Sequence, residues 1–411
     1  MTTVIVAVFA AVYVGMALGR VPGLKIDRTG IALMGLAVLL ATGAVDLETA
    51  GAAIDAPTIL LLFALMILSA QFAQAGFYDY CAALIVRTAA SPAALLALTV
   101  VVSGGLSAVL ANDIVVFAMT PLLCAGIAAR GMDPRPFLMA LAGAANAGSA
   151  ATVIGNPQNI LIGQAGGLDF WKFAAVCAPP AILSLGVVFL VVRVIWRRTL
   201  AQPIVAPDAG SGPAPIDRWQ IGKGIVATVL LVGLFATDLP REVGALGIAA
   251  LLLASRTMAS RAMIGAVDWH LLVLFACLFA VTAAFASTGL ATDGLIWMLA
   301  HGLLPDSLAV LGPLTLVLSN TIGNVPAVIL LNAIWPEATE GARYGLALLS
   351  TLAGNLLIVG SLANLIVAER AAAIGVRLTF ADFARAGVPT ALISMALAAL
   401  WLGLTGWMPW Y

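Results

Sequence analysis

Two polar runs sit inside otherwise apolar sequence: Ser107-Ala-Val-Leu-Ala-Asn-Asp113 and Asn146-Ala-Gly-Ser-Ala-Ala-Thr-Val-Ile-Gly-Asn-Pro-Gln-Asn159. Asn, Gly and Pro interrupt helices there at a depth where no water replaces lost backbone hydrogen bonds. Such backbone survives only where it is buried in protein or lines an enclosed aqueous space. A related pair follows later, Leu318-Ser-Asn-Thr-Ile-Gly-Asn-Val-Pro326 and Ala353-Gly-Asn-Leu-Leu-Ile-Val-Gly-Ser-Leu-Ala-Asn364. Interrupted apolar segments at matching places in two halves point to a binding site at the bilayer midplane, between two repeats.

Composition fits that reading. The chain is 63% hydrophobic and 9% charged, against about a quarter charged in soluble domains, so it reads as an all-α polytopic membrane protein. Net charge is zero, which gives no reason to expect a nucleic-acid partner. Cys81, Cys124, Cys177 and Cys277 lack CxxC or His spacing and read as packing residues, and no metal site is expected. Met1 to Leu18 has no basic leader and reads as a retained first span.

Apolar windows fall at 3–19, 30–45, 57–76, 137–163 and 173–195, with an interrupted stretch at 92–129. The inventory recurs at 221–237, 242–255, 269–288, 343–368 and 387–408, with an interrupted stretch at 305–335. Asp55 to Gly76 and Asp268 to Gly289 are both 21-residue intervals, and the polar breaks recur at 47 residues (Asn112 to Asn159) and 44 (Asn320 to Asn364). The expected organisation is a first repeat over 1–198 (hairpin 92–129, broken span 137–163), a cytoplasmic linker over 199–219, and a second repeat over 220–411 (hairpin 305–335, broken span 343–368). This gives about ten transmembrane helices in two inverted-topology repeats, plus two re-entrant hairpins whose breaks meet near the midplane.

Charge tests that topology. With both hairpins re-entrant and 78–90 and 290–303 lying along the surface, sixteen of the 19 Lys and Arg residues fall on one side. Lys172, Arg241 and Arg343 alone fall on the other. By the positive-inside rule the first side is cytoplasmic and both termini are periplasmic or extracellular, as expected of a multi-pass inner (plasma) membrane protein. Treating 92–129 as a single span would separate the basic clusters at 20–28 and 196–220. Trp171, Trp269, Trp335, Trp407 and Trp410 read as interfacial belts, and His270 and His301 as interfacial residues.

At Asn112-Asp113 one helix end meets another; the carbonyls there attract a cation and the free N–H groups an anion. Asn156-Pro157 reads as an N-cap followed by proline at the first helical position, a restart after a break near Gly155. Ser361 and Asn324 can cap in the same way. Small and polar residues also serve close helix packing in membranes, which is the competing explanation for Asn146, Ser149, Thr152, Asn332 and Asn355. Asp113 is the one acid placed deep in the bilayer, and an intramembrane carboxylate is a functional candidate.

At these residues the chain resembles the ion transporter superfamily that includes arsenical pump membrane proteins, D-type sodium/proton antiporters and divalent anion/sodium symporters. Ala-Asn112-Asp113 with Met-Thr-Pro121-Leu is similar to the arsenical-pump hairpin. Gly155-Asn-Pro-Gln-Asn159 is similar to the citrate-carrier break, and Ser319-Asn320-Thr321 is the symporter tip motif. The resemblance implies substrate contacts from Asn112, Asp113, Asn156, Pro157, Asn159, Asn320, Thr321, Ser361 and Asn364. It implies cation binding or coupling at Ser107, Asn112, Asp113, Gly155, Thr315, Ser319, Asn320 and Gly360. Asp113 stands where symporters have Thr, and Leu362 where they have Pro; an acid at the tip would repel a dicarboxylate and invites a proton or a cation.

The resulting expectation is a secondary transporter of a small anion or oxyacid (arsenite or antimonite, or a citrate- or dicarboxylate-like anion). It works by alternating access, needs no cofactor and uses sodium or protons as coupling ion. The alternatives are a sodium/proton antiporter and, from another class, a passive anion channel. No enzyme motif and no GxxxxGK[ST] loop is present. Expected partners are the substrate and membrane lipid, with a homodimer compatible and a separate ATPase subunit on the arsenical-pump branch.

Overall fold

The computed structural model describes residues 1–19, 23–88, 91–202 and 216–411, and most of the expected linker, 203–215, lies outside them. The first half forms α1 (Thr2–Leu18), α2 (Arg28–Ala41), α3 (Leu47–Ala52), α4 (Ala56–Gln74), α5 (Phe77–Thr88), α6 (Pro92–Val109), α7 (Asn112–Ala129), α8 (Arg135–Ser149), α9 (Pro157–Ala165) and α10 (Phe170–Ile195). The second forms α11 (Arg218–Leu234), α12 (Arg241–Leu253), α13 (Ser260–Gly265), α14 (Trp269–Ala286), α15 (Leu290–Ala300), α16 (Leu308–Thr321), α17 (Asn324–Ile334), α18 (Glu340–Ala353), α19 (Leu362–Ala373) and α20 (Phe380–Leu404). Helix for helix the halves correspond, and no strand occurs among the described residues.

The scarce charges are spent on helix starts. Asp27, Asp46, Asp55, Asp169, Asp217 and Asp268 each accept a backbone N–H in the first turn of the helix that follows. Each satisfies an orphan donor that the bilayer would leave unpaired.

The halves interlock rather than stand side by side. The end helix of each broken span, α9 and α19, packs on the other half's hairpin, α17 and α7 respectively, while α4 packs on α12 and α14 on α2. This reciprocal exchange is what inverted repeats produce. Close approach is built in where α6 meets α8: a Cβ at Gly148 would overlap the backbone of Gly104.

Among the described residues six helices are long and apolar enough to cross a membrane, and α6 and α7 are both among them. Each has 18 residues, about 27 Å at 1.5 Å per residue, so length alone would allow two spans. Either way the pair starts and finishes at one end of the molecule: Arg130, just past α7, donates from Nη1 to Val86 O at 2.5 Å, a few residues before α6 begins. The other hairpin has arms of 14 and 11 residues, too short for a hydrocarbon core of about 30 Å. It too starts and finishes at one end of the molecule. Leu308 N donates to Pro409 O at 2.9 Å, Arg343 Nη2 to Pro336 O at 2.7 Å, and the neighbouring Gly341 lies against Trp407 O.

That same end gathers all three basic residues assigned to the minority side. Arg241 donates to Leu168 O, Arg343 packs against Gly166, and Lys172 Nζ meets Glu340 at 2.6 Å. Trp335, expected in an interfacial belt, is buried there instead, because the loop after α17 is covered by protein.

Candidate functional site

Both broken spans open where expected. In the first, α8 ends at Ser149 and α9 restarts at Pro157, with Asn156 Oδ1 accepting Asn159 N at 2.8 Å as the predicted N-cap. In the second, α18 ends at Ala353, a 3-10 turn covers Ile358–Gly360, and α19 restarts at Leu362. Ser361 does not cap as expected; its hydroxyl donates to Asn146 Oδ1 at 2.9 Å, in the other half. Asn324 does not cap either, because Gly323, at φ 95°, holds the N-cap position.

Each break is stapled by an asparagine two residues past its restart. Asn159 Nδ2 donates to Ser149 O (3.2 Å) and Thr152 O (2.9 Å). Asn364 Nδ2 donates to Gly354 O (2.7 Å) and Leu357 O (3.1 Å), the positions 205 residues later. The remaining amide oxygen of each staple is taken by the opposite half: Asn146 Nδ2 to Asn364 Oδ1 (3.0 Å) and Thr351 Oγ1 to Asn159 Oδ1 (3.4 Å). Asn146 Nδ2 also donates to Asn355 Oδ1 at 2.9 Å, and Asn156 Nδ2 to Ser149 Oγ (2.9 Å) and Thr351 Oγ1 (3.3 Å). This hub is uncharged, buried and nearly fully paired. Asn159 and Asn364, expected to touch substrate, are instead committed to holding the breaks.

The hairpins dock on the breaks. Asn112 N donates to Gly155 O at 3.4 Å. With its amide oriented to satisfy its neighbours, Asn324 donates to Gly360 O at 2.8 Å and accepts from Gln158 Nε2 at 3.2 Å. The counterpart of Asn112 is therefore Asn324, since each is the first residue of a returning arm. Asn320, expected at the second tip, lies in the last turns of α16. Its side chain bonds Leu316 O, Ala353 O and Leu357 N, packing where a Cβ on Gly360 would stand. Thr321 is exposed and bonds back to Val317 O, Thr315 bonds back to Leu311 O, and Ser319 donates to Ser350 O. Of these four, Ser319 and Asn320 hold the second break, Thr315 and Thr321 bond only within α16, and none lines the cavity described next; α16 is still helical at Asn320, whereas α6 has ended three residues before Asn112.

In front of the hub lies a cavity of two joined compartments, about 400 and 440 Å³, sharing Asp113, Pro157, Asp268 and Leu271. Asn156 and Phe117 face the first, which is largely apolar. The second is lined by Asn112, Gln158, Asn324, Ser361 and the half-buried Arg28, and its rim by the exposed Asp27, His270 and Glu369. The N-terminal ends of α7, α9, α17 and α19 thus converge on one space, with their positive ends forward. Among the described residues Asp113 forms no ion pair or side-chain hydrogen bond, and the buried atoms Ser107 Oγ and Asn112 Oδ1 have no hydrogen-bond partner. Gln158, Asn324, Asp268 and Arg28 complete the wall; of these, the sequence offered a signal for Asp268 through the Asp55 repeat and for Asn324 through its possible cap.

The sequence between residues 13 and 344 matches the family model described as citrate transporter. The chain belongs to the citrate transporter family. Within it, a 46 kDa membrane protein of Mycobacterium leprae is 31% identical over 98% of this chain and 99% of its own length. The silicon efflux transporter LSI3 of Oryza sativa subsp. japonica is 28% identical over 93% and 94%. A putative transporter arsB of Dictyostelium discoideum is 24% identical over 90% and 86%. Among solved structures the Alcanivorax borkumensis YdaH transporter superposes with a TM-score of 0.58 over 99% of both chains at 18% identity, a likeness of fold. A citrate transporter family chain with this fold is a polytopic membrane transporter, and the family gives no grounds for an enzyme.

Proposed function

We propose that this chain is a secondary active transporter of a small weak oxyacid, bound in its uncharged, hydroxyl-rich form and coupled to protons or sodium through Asp113. The observation that carries this is the cavity wall. Its inner surface offers amides, hydroxyls, helix N-termini and the Asp113 carboxylate; of its two basic groups, His270 is exposed at the rim and Arg28, half-buried, lines only the second compartment. Amides and hydroxyls match the O–H groups of an undissociated oxyacid as both donors and acceptors. A dianion would meet Asp113 at short range in a low-dielectric space. Silicic and arsenous acids are chemically of this kind, and the names of the rice and Dictyostelium relatives fit the class.

In this reading the hairpins are re-entrant and the sixteen-to-three distribution of basic residues sets the arginine-rich end in the cytoplasm, with both termini outside the inner membrane. The cavity, whose rim is formed by Asp27, His270 and Glu369, then faces the cytoplasm, one of two states of alternating access. The breaks and hairpins form the moving part, because the hub ties α8 and α9 to α18 and α19. The unpartnered Ser107 Oγ and Asn112 Oδ1 also suit a cation site, which supports sodium/proton antiport as the second reading.

Counterflow in proteoliposomes tests the first reading. Vesicles preloaded with unlabelled arsenite, silicic acid, citrate, succinate, phosphate or sulfate are given the labelled form under imposed pH or sodium gradients. Accelerated uptake of an uncharged oxyacid is expected. Ion exchange with no movement of any probe would favour the antiporter.

A further inference from the structure

The two halves use the same aspartate differently. Asp55, at the start of α4, is fully engaged: Oδ1 accepts Thr58 N at 3.3 Å and Oδ2 accepts Thr58 Oγ1 at 2.7 Å. Asp268, its repeat counterpart at the start of α14, accepts Leu271 N on Oδ1 at 3.0 Å. Leucine stands where the first half has threonine, so Oδ2 of Asp268 has no hydroxyl to take. The carboxylate lines both compartments of the cavity together with Asp113 and forms no ion pair among the described residues. The other titratable groups around this space are Asp27 and Arg28 on the α2 side, His270 on α14 and Glu369 on α19. Asp27 is already occupied as the cap of α2, accepting Gly30 N at 2.9 Å. The second, independent feature is Asn112: 4% exposed, on the same wall, with an amide oxygen that nothing among the described residues satisfies.

Resting on the transport reading above, we propose that Asp268 is the second carboxylate of the coupling site: its free oxygen, Asp113 and Asn112 Oδ1 together bind one monovalent cation, a proton or a sodium ion. Two carboxylates facing one poorly hydrated space repel each other unless a cation sits between them. An amide oxygen beside them supplies a neutral ligand of the hard-oxygen kind that both ions accept. Binding a single cation adds one positive charge to the pair and needs no other reactant. Loss of the threonine partner frees Asp268 for this role while leaving its capping function in place.

The test compares Asp268→Asn, Leu271→Thr and, in the other half, Asp55→Asn in full-length protein in proteoliposomes. The six probes above are used, with a pH gradient in one arm and a sodium gradient in the other. Asparagine caps helices about as well as aspartate, so Asp268→Asn keeps the start of α14. Expected for Asp268→Asn is intact counterflow with loss of gradient-driven accumulation, in the arm that drives the wild type. Leu271→Thr, which offers Asp268 the hydroxyl that Asp55 has, is expected to raise the cation concentration needed for half-maximal uptake roughly tenfold, the equivalent of one pKa unit. Asp55→Asn should accumulate like the wild type. Wild-type accumulation by Asp268→Asn overturns the inference, as does loss of its counterflow in folded protein, which would make the residue structural or a substrate contact. A wild type that exchanges none of the probes removes the transport reading itself, and the inference with it.

Discussion

Replacing Asn146 with alanine removes a side chain that ties the two halves together through three short hydrogen bonds. It donates to Asn355 Oδ1 (2.9 Å) and Asn364 Oδ1 (3.0 Å) and accepts from Ser361 Oγ (2.9 Å). Interhelical hydrogen bonds in membranes average about 0.6 kcal/mol, so the three together set a floor of about 2 kcal/mol. Two amide oxygens are then stranded in residues that are at most 1% exposed. A buried acceptor left unpaired costs about 1–3 kcal/mol, part of it already counted, which brings the expected loss to about 2–4 kcal/mol. Thr351→Ala is the mirror-image change. Its bonds are longer, 3.2 to 3.4 Å, and Asn156 Nδ2 keeps its 2.9 Å bond to Ser149. The expected loss there is about 1 kcal/mol. Thermal midpoints of the detergent-solubilised variants, read by fluorescence-detected size exclusion, should rank wild type above Thr351→Ala above Asn146→Ala. A Thr351 variant as damaged as the Asn146 variant would refute the argument that short, doubly donating contacts from Asn146 hold the halves in register.

Other expectations follow from the same geometry. In a cysteine-free background, single cysteines at Asp133 and Glu337 should be labelled by an impermeant reagent from opposite sides, cytoplasmic and external respectively; labelling of both from one side would remove the inverted orientation. Gly148→Val should abolish folded protein, because its side chain would displace the Gly104 backbone; normal expression and thermal midpoint would show that α6 and α8 can separate. At the end of the molecule where Lys172, Arg241 and Arg343 gather, a hydrogen bond from Lys172, then one from Tyr344, holds the Glu340 carboxyl below its ordinary range. A depressed carboxyl contributes stability above its unfolded pKa and loses it as pH falls through the folded one. Thermal midpoints should therefore decline slightly in acid, and Lys172→Met should flatten that decline; the pair is exposed, so the effect is small.

Much of this architecture is legible in the sequence because the bilayer permits so few solutions. Asp55 and Asp268 with their equal intervals, the Asn156-Pro157 restart and the recurrence of asparagine two residues past each restart all express backbone that must be satisfied internally. The three basic residues left on the minority side by a charge argument meet at one end of the fold. Asn320 is the instructive failure. The Ser-Asn-Thr motif implies a tip, yet α16 runs through Thr321 and breaks at Gly323, whose positive φ decides where the chain turns. Periodicity does not specify which turn of an apolar helix is its last. Roles within the hub were hidden for a related reason: Asn159 and Asn364 carry the same groups as a substrate ligand, and only three-dimensional pairing reveals that those groups are used. Gln158 and Arg28 carried no pattern at all, since what recruits them to the cavity is the packing of one half against the other.

The central claim is that Asp113 couples substrate movement to an ion gradient inside a neutral site. Asp113→Asn keeps size and most hydrogen bonding while removing the charge. The direct measurement is therefore paired: counterflow and gradient-driven accumulation of the same labelled oxyacid, in the same proteoliposomes, for wild type and this variant. Counterflow retained with accumulation reduced to equilibrium is the predicted result, whereas a variant that still concentrates the oxyacid with unchanged pH dependence would contradict the account and move coupling to Ser107, Asn112 and the carbonyls around Gly155.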